Sequence, residues 1–271
     1  MRILLSALYF IFASFLYGSG LELIGTIRPG ELVIGKAEKI LRVTLDNKQI
    51  QFDEKEGLFV FGFDRDDTSD HYLTVKLTDG TVIAKKLVLA KRKYKIQRIR
   101  MKEKFVTPPK EELARIDRED SIKTAAKTKL GRIDDALYVK GFMRPVKRNR
   151  LTGIFGSQRI LNGKPKNAHN GVDYGVPKGK VVFATTDGVV RLVADNFYYS
   201  GNFVLLDHGQ GLNSFYLHLS KIMVKDGEFV KKGQKIGEVG STGRSTGPHL
   251  HWGVQWFKNR VDPLSLLKMK F

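Results

Sequence analysis

Through residues 21–106 polar and apolar positions alternate over short runs, and turn residues interrupt the alternation. In LRVTLDNKQIQF two such runs flank Asp46-Asn47, which predicts a tight hairpin. YLTVKLTDGTVIAKKLVL repeats the device around Asp79-Gly80, a dipeptide that tolerates the positive φ of a hairpin turn. This pattern predicts a small all-β, sandwich-like N-terminal domain. From Lys85 to Lys104 the run carries ten basic residues and one acid, and its apolar positions change from even to odd near Gln97. That shift predicts a bulge or turn, and the charge fits a solvated edge strand, with adhesion to an anionic surface as a second use.

Residues 107–137 are different in kind. Thr107, two prolines, acids in the first turn, an alanine-rich middle and lysine near the end predict a helix, here a connector between domains. From residue 138 to 271 glycine-bounded runs of strand composition return, as in GKVVFATTDGVVRLVA and GNFVLLDHGQGLNSFYLHL. They predict a second, antiparallel β domain, so the fold class is mainly β.

The N-terminus departs from this alternation. One Arg is followed by fifteen residues, Ile3 to Tyr17, that are apolar except for Ser6 and Ser14, and then by Gly18, Ser19 and Gly20. Residues 1–20 therefore read as a signal peptide, the alternative being an uncleaved anchor. Export to the periplasm or cell envelope follows, with no stable membrane insertion once the signal is removed. Zero cysteines exclude disulfides, thiolate metal sites and cysteine nucleophiles. A formal charge of +19 calls for an anionic partner, and for an exported chain a wall polymer or acidic membrane surface fits better than nucleic acid.

Five of the six histidines, at 169, 208, 218, 249 and 251, lie in the C-terminal half. In GPHLHW, His249 and His251 fall on one side of a strand, while AHNGVDYG places His169 and Asp173 four residues apart. A catalytic zinc takes three protein ligands of this type and keeps a position for water. His169, Asp173 and one member of the H-x-H pair supply such a set. Two histidines remain for acid-base work. His208 reads as a strand corner and His71 as a surface residue, and Ser157 lacks a G-x-S-x-G context.

HNGVD, YLHL and GPHLHW, in this order and with STGRSTG leading into the last, resemble the lysostaphin and LytM type of zinc metalloendopeptidases, which cut peptidoglycan peptide cross-links. The resemblance covers roughly residues 142–267. It implies that His169, Asp173 and His251 bind zinc, and that His218 and His249 are unligated, activating water and stabilising the oxyanion. It further implies peptidoglycan stem peptides as substrate and, from the likeness of FGSQRILNG to Gram-negative members, cleavage between D-alanine and diaminopimelate. Arg159 reads either as the partner of a peptide carboxylate or as a loop brace. The competing function is a non-catalytic wall-binding or amidase-activating protein on the same fold.

Overall fold

In the computed structural model, residues 20–147 and 150–270 are described; the expected signal segment falls almost entirely outside them. The N-terminal half holds two four-stranded sheets. One pairs Leu21–Gly25, Leu32–Ala37, Leu58–Gly62 and Phe52–Asp53; the other pairs Lys48–Ile50, Ile40–Leu45, His71–Leu77 and Val82–Leu87. Asp46 and Asn47 join Ile40–Leu45 to Lys48–Ile50 with φ of 50° and 62°, as a two-residue hairpin of this hand requires. At the second expected turn Gly80 has φ 90°, and the Asp79 carboxylate accepts from the Thr81 amide at 2.9 Å.

The connector helix runs over Lys110–Lys127. Its apolar residues Leu113 and Ile122 stay exposed, and only Glu119 and Ala126 are buried. Polar contacts hold it instead. Glu119 accepts from the Tyr198 amide at 2.7 Å, and Arg115 donates to Glu119 at 2.8 Å and to the carbonyl of Asn196.

The C-terminal half is built on a ten-stranded antiparallel sheet. Its main path runs Arg150–Gly153, Val172–Gly175, Leu250–Trp256, Leu212–Ile222, Gly201–Asp207, Gly188–Phe197 and Phe229–Val230. Strand alternation gives this sheet two unlike faces. Leu250, Trp252 and Val254 point into a buried core that continues into both N-terminal sheets. On the other face Leu192, Ala194, Phe203, Leu205 and Phe215 form a separate apolar cluster, covered in part by Ala126 of the helix.

A third, three-stranded sheet ties the basic segment to the C-terminal half. Ile96–Ile99 pairs in parallel with Gln158–Leu161, which in turn pairs with Lys164–Pro165. Ile96–Ile99 is an edge strand with Arg98 exposed, as its lysine- and arginine-rich composition predicts. Asn162 fixes the following residues by donating to the Met101 carbonyl at 2.9 Å and accepting from the Met101 amide at 3.0 Å.

Candidate metal centre

Strand register brings the first three site residues together. Asp173 on Val172–Gly175 lies opposite His251 on Leu250–Trp256, and His169 precedes the first of these strands by a short turn. His169 Nε2 is 3.0 Å from Asp173 Oδ1 and 3.0 Å from His251 Nδ1, and His251 Nδ1 is 2.8 Å from the same Oδ1. All three residues are buried.

The second nitrogen of His169 fixes which of its atoms faces inward. His169 Nδ1 donates to the Ile154 carbonyl at 3.1 Å, which leaves Nε2 with a lone pair when the ring is neutral. That nitrogen and the Asp173 oxygen, 3.0 Å apart, converge on one point that a shared proton or a metal ion can occupy. Burial lowers the pKa of His251 from 6.5 to about 4, so its ring is neutral near pH 7. Burial alone would raise Asp173, yet hydrogen bonds with His169 and His251 overcome it and hold the carboxyl well below its usual range. The donor set, two imidazoles and one carboxylate, fits a divalent metal of the zinc type.

Two glycines make room for this arrangement. A Cβ on Gly153 would stand 2.3 Å from Asp173 Oδ2, and one on Gly171 would stand 2.8 Å from His251 Nε2 and 2.5 Å from the Trp252 carbonyl. A bulkier residue at either position would displace a ligand or the strand beneath it.

His218 and His249 form the second half of the site, with ring centroids 4.7 Å apart. In the alternation of Leu212–Ile222, Phe215 and Leu217 share the face of His251, so an unbroken strand would turn His218 to the opposite face. The strand carries an extra residue against Gly201–Asp207, and His218 itself has φ 64°. This bulge turns the ring back toward His249, at a conformational cost of about 1–3 kcal/mol. His218 Nδ1 donates to the Thr242 carbonyl at 2.8 Å, and His249 Nδ1 to the Gly247 carbonyl at 2.8 Å. Each ring therefore keeps Nε2 for chemistry. His249 Nε2 lies 3.9 Å from Asp173 Oδ1. Burial, reinforced by the positive potential of His249 and His251, pulls the pKa of His218 well below 6.5.

Arg159 reaches the same centre from Gln158–Leu161. Its Nη2 donates to Asp173 Oδ2 at 2.7 Å, while its Nε donates to Gln97 Oε1 at 3.4 Å. Neither contact was visible in the sequence, because both partners are remote along the chain. His208 sits at the end of Gly201–Asp207, fully enclosed, between the Asp187 carbonyl at 2.7 Å and Ser214 Oγ at 2.7 Å. His71 is held between Asp46 at 2.6 Å and Asp67 at 3.0 Å. Both lie apart from the metal centre.

Residues 167–263 match Peptidase family M23, and the match spans all three residues of the buried trio as well as His218 and His249. The chain carries a peptidase M23 domain. It is 51% identical over 104 residues to peptidoglycan DD-endopeptidase ShyA of Vibrio cholerae, covering 38% of this chain and 24% of the relative. It is 43% identical over 116 residues to ShyC of the same organism, covering 42% and 26%. The DD-carboxypeptidase/endopeptidase Mpg of Neisseria meningitidis is 37% identical over 124 residues, covering 46% and 28%. The chain thus spans about a quarter of the length of these curated relatives. The likeness extends further in the crystal structure of a Pseudomonas aeruginosa protein assigned to peptidase M23. At 28% identity and a TM-score of 0.64 it covers 89% of this chain and 95% of the other.

Proposed function

We propose that this chain is an exported, zinc-dependent endopeptidase that hydrolyses peptide cross-links of peptidoglycan. The observation that carries the reading is the convergence of His169 Nε2, Asp173 Oδ1 and His251 Nδ1, within 3.0 Å of one another, beside two histidines whose Nε2 atoms are free. His169, Asp173 and His251 would hold the ion. When bound, zinc supplies Lewis acidity, polarising the scissile carbonyl and lowering the pKa of coordinated water toward ~7.

The chain's own residues supply the proton traffic and orientation. His218, neutral because it is buried, accepts a proton at Nε2 as the amide is attacked. His249, with Nδ1 tied to Gly247, donates from Nε2 to the developing oxyanion when its ring is protonated, and the proton that His218 has taken up passes to the leaving amine. Arg159 holds the outer oxygen of Asp173 so that the inner oxygen stays directed at the ion. Phe215, stacked on His251 with centroids 6.0 Å apart, begins the apolar floor that excludes water from one side of the site.

The matched relatives are named as DD-endopeptidases, which supports the bond between D-alanine and diaminopimelate as the target. The net charge of +19 suits a substrate dense in carboxylates. Export rests on the N-terminal apolar run. The test is mass spectrometry of muropeptides after the chain meets isolated peptidoglycan, with and without a chelator. Metal-dependent loss of cross-linked dimers with release of monomers is expected. An unchanged profile with zinc present would overturn the reading in favour of a binding or activating protein.

A further inference from the structure

The loop Ser241–Gly247 positions both unligated histidines, since Thr242 accepts from His218 and Gly247 from His249. Arg244 lies between these two anchors. Its amide donates to the Tyr199 carbonyl at 3.0 Å, and its guanidinium carbon lies 4.6 Å above the Tyr199 ring. The preceding Gly243 has φ 67° and packs so tightly that a Cβ there would fall 2.3 Å from the Gly201 amide. The loop backbone is therefore locked on both sides of Arg244.

Arg244 is half-buried, yet among the described residues no carboxylate lies within ion-pair distance of it and its side chain donates no hydrogen bond. The charge that acts on it is Arg159, which repels it and is itself committed to Asp173. Burial and the repulsion of Arg159 both pull its pKa below the ordinary value, a sign that its charge lacks compensation within the chain. A desolvated cation without a counter-charge is costly, and a planar guanidinium fits a carboxylate through two parallel hydrogen bonds. The aromatic platform holds the fork in place without consuming its donors.

We propose that Arg244 is a specificity-determining residue that receives a free carboxylate of the substrate next to the scissile amide. The inference rests on the peptidoglycan endopeptidase reading and narrows it. In a cross-link between D-alanine and diaminopimelate, the carbon that bears the scissile nitrogen also carries a carboxyl group. In a glycine bridge the corresponding carbon carries two hydrogens and the next peptide carbonyl, with no free carboxylate. Arg244 thus selects cross-links whose amine-side residue carries that carboxylate in its free form.

The test uses the full, zinc-loaded chain and two purified cross-linked dimers, one with this carboxylate free and one with it amidated. The wild type is expected to favour the free form by at least about tenfold in kcat/KM. Arg244→Met should erase most of that preference with zinc content unchanged, and Arg244→Lys should restore part of it. Binding of the amine-side product peptide, free or amidated, is measured in parallel by calorimetry. Wild type should bind the free form more tightly and Arg244→Met should not distinguish the two. Equal use of both dimers by the wild type, or an equal loss on both in Arg244→Met, would overturn the proposal. If the wild type cuts neither dimer, the endopeptidase reading fails, and the binding comparison alone decides whether Arg244 is a carboxylate receptor.

Discussion

Arg159 Nη2 donates to Asp173 Oδ2 at 2.7 Å, and this is the oxygen not engaged by the two histidines. The carboxylate is thus held from both sides, by an arginine outside and by the site within. Removing the outer hold leaves Asp173 free to rotate or to take both oxygens inward. Arg159→Gln is expected to weaken zinc affinity by about 10–100-fold, with Arg159→Lys in between. Competition against a chromophoric chelator measures this directly, and an unchanged affinity would return Arg159 to a simple loop brace.

Gly153 lies opposite Asp173 in the sheet, and the space for a side chain there is taken by Oδ2. Gly153→Ala should therefore reproduce the metal-affinity loss of Arg159→Gln while leaving the circular dichroism of the β-sheet intact. A normal affinity in that variant would mean that Asp173 can shift at no cost to the centre.

The histidines should divide into two classes. His251→Ala is expected to lose both metal and activity. His218→Ala should keep one equivalent of zinc and lose about 10²–10⁴-fold in turnover. Metal analysis alongside single-turnover hydrolysis separates the classes, and loss of zinc in His218→Ala would move that residue among the ligands.

Much of this arrangement could be read from the sequence, and the rest could not for identifiable reasons. The hairpins at Asp46-Asn47 and Asp79-Gly80 follow from local backbone preference, and the structure contains both. His169, Asp173 and the H-x-H pair stood out because zinc ligands must be of these types, the family resemblance implied His251 of that pair, and strand register places Asp173 opposite His251. The parallel pairing of Ile96–Ile99 with Gln158–Leu161 joins segments some sixty residues apart, and periodicity carries no information about such a partner. His218 is on the wrong face by alternation and reaches the site only through its bulge. Arg244, in a loop of serine and glycine, looks solvated until Tyr199 is seen beneath it.

Acid should begin to destabilise the metal-stripped protein above the range in which carboxylates ordinarily titrate. His251 falls from 6.5 to about 4 in the folded state, and His218 and His208 are lowered as well, each chiefly by burial. Between those values the unfolded chain binds more protons than the folded one, so stability declines as pH drops from 6.5 toward 4. His251 alone accounts for about 3 kcal/mol of that decline. Asp173 is ionised in both states in the upper part of this window and adds its own loss only as the pH approaches its ordinary value of 3.8, where the unfolded carboxyl takes up a proton that the folded one does not. Urea unfolding at pH 7, 5.5 and 4.5 in the presence of chelator tests this. A flat stability over that range would show that these rings are not held neutral.

The central claim is that His169, Asp173 and His251 hold one zinc ion on which cross-link hydrolysis depends. The most direct measurement is cleavage of a purified cross-linked dimer by the metal-stripped chain as zinc is added stepwise, with His251→Ala in parallel. Activity should rise from baseline and level off at one equivalent in the wild type, and stay at baseline in the variant. Cleavage that ignores added zinc, or that survives in His251→Ala, would contradict the account.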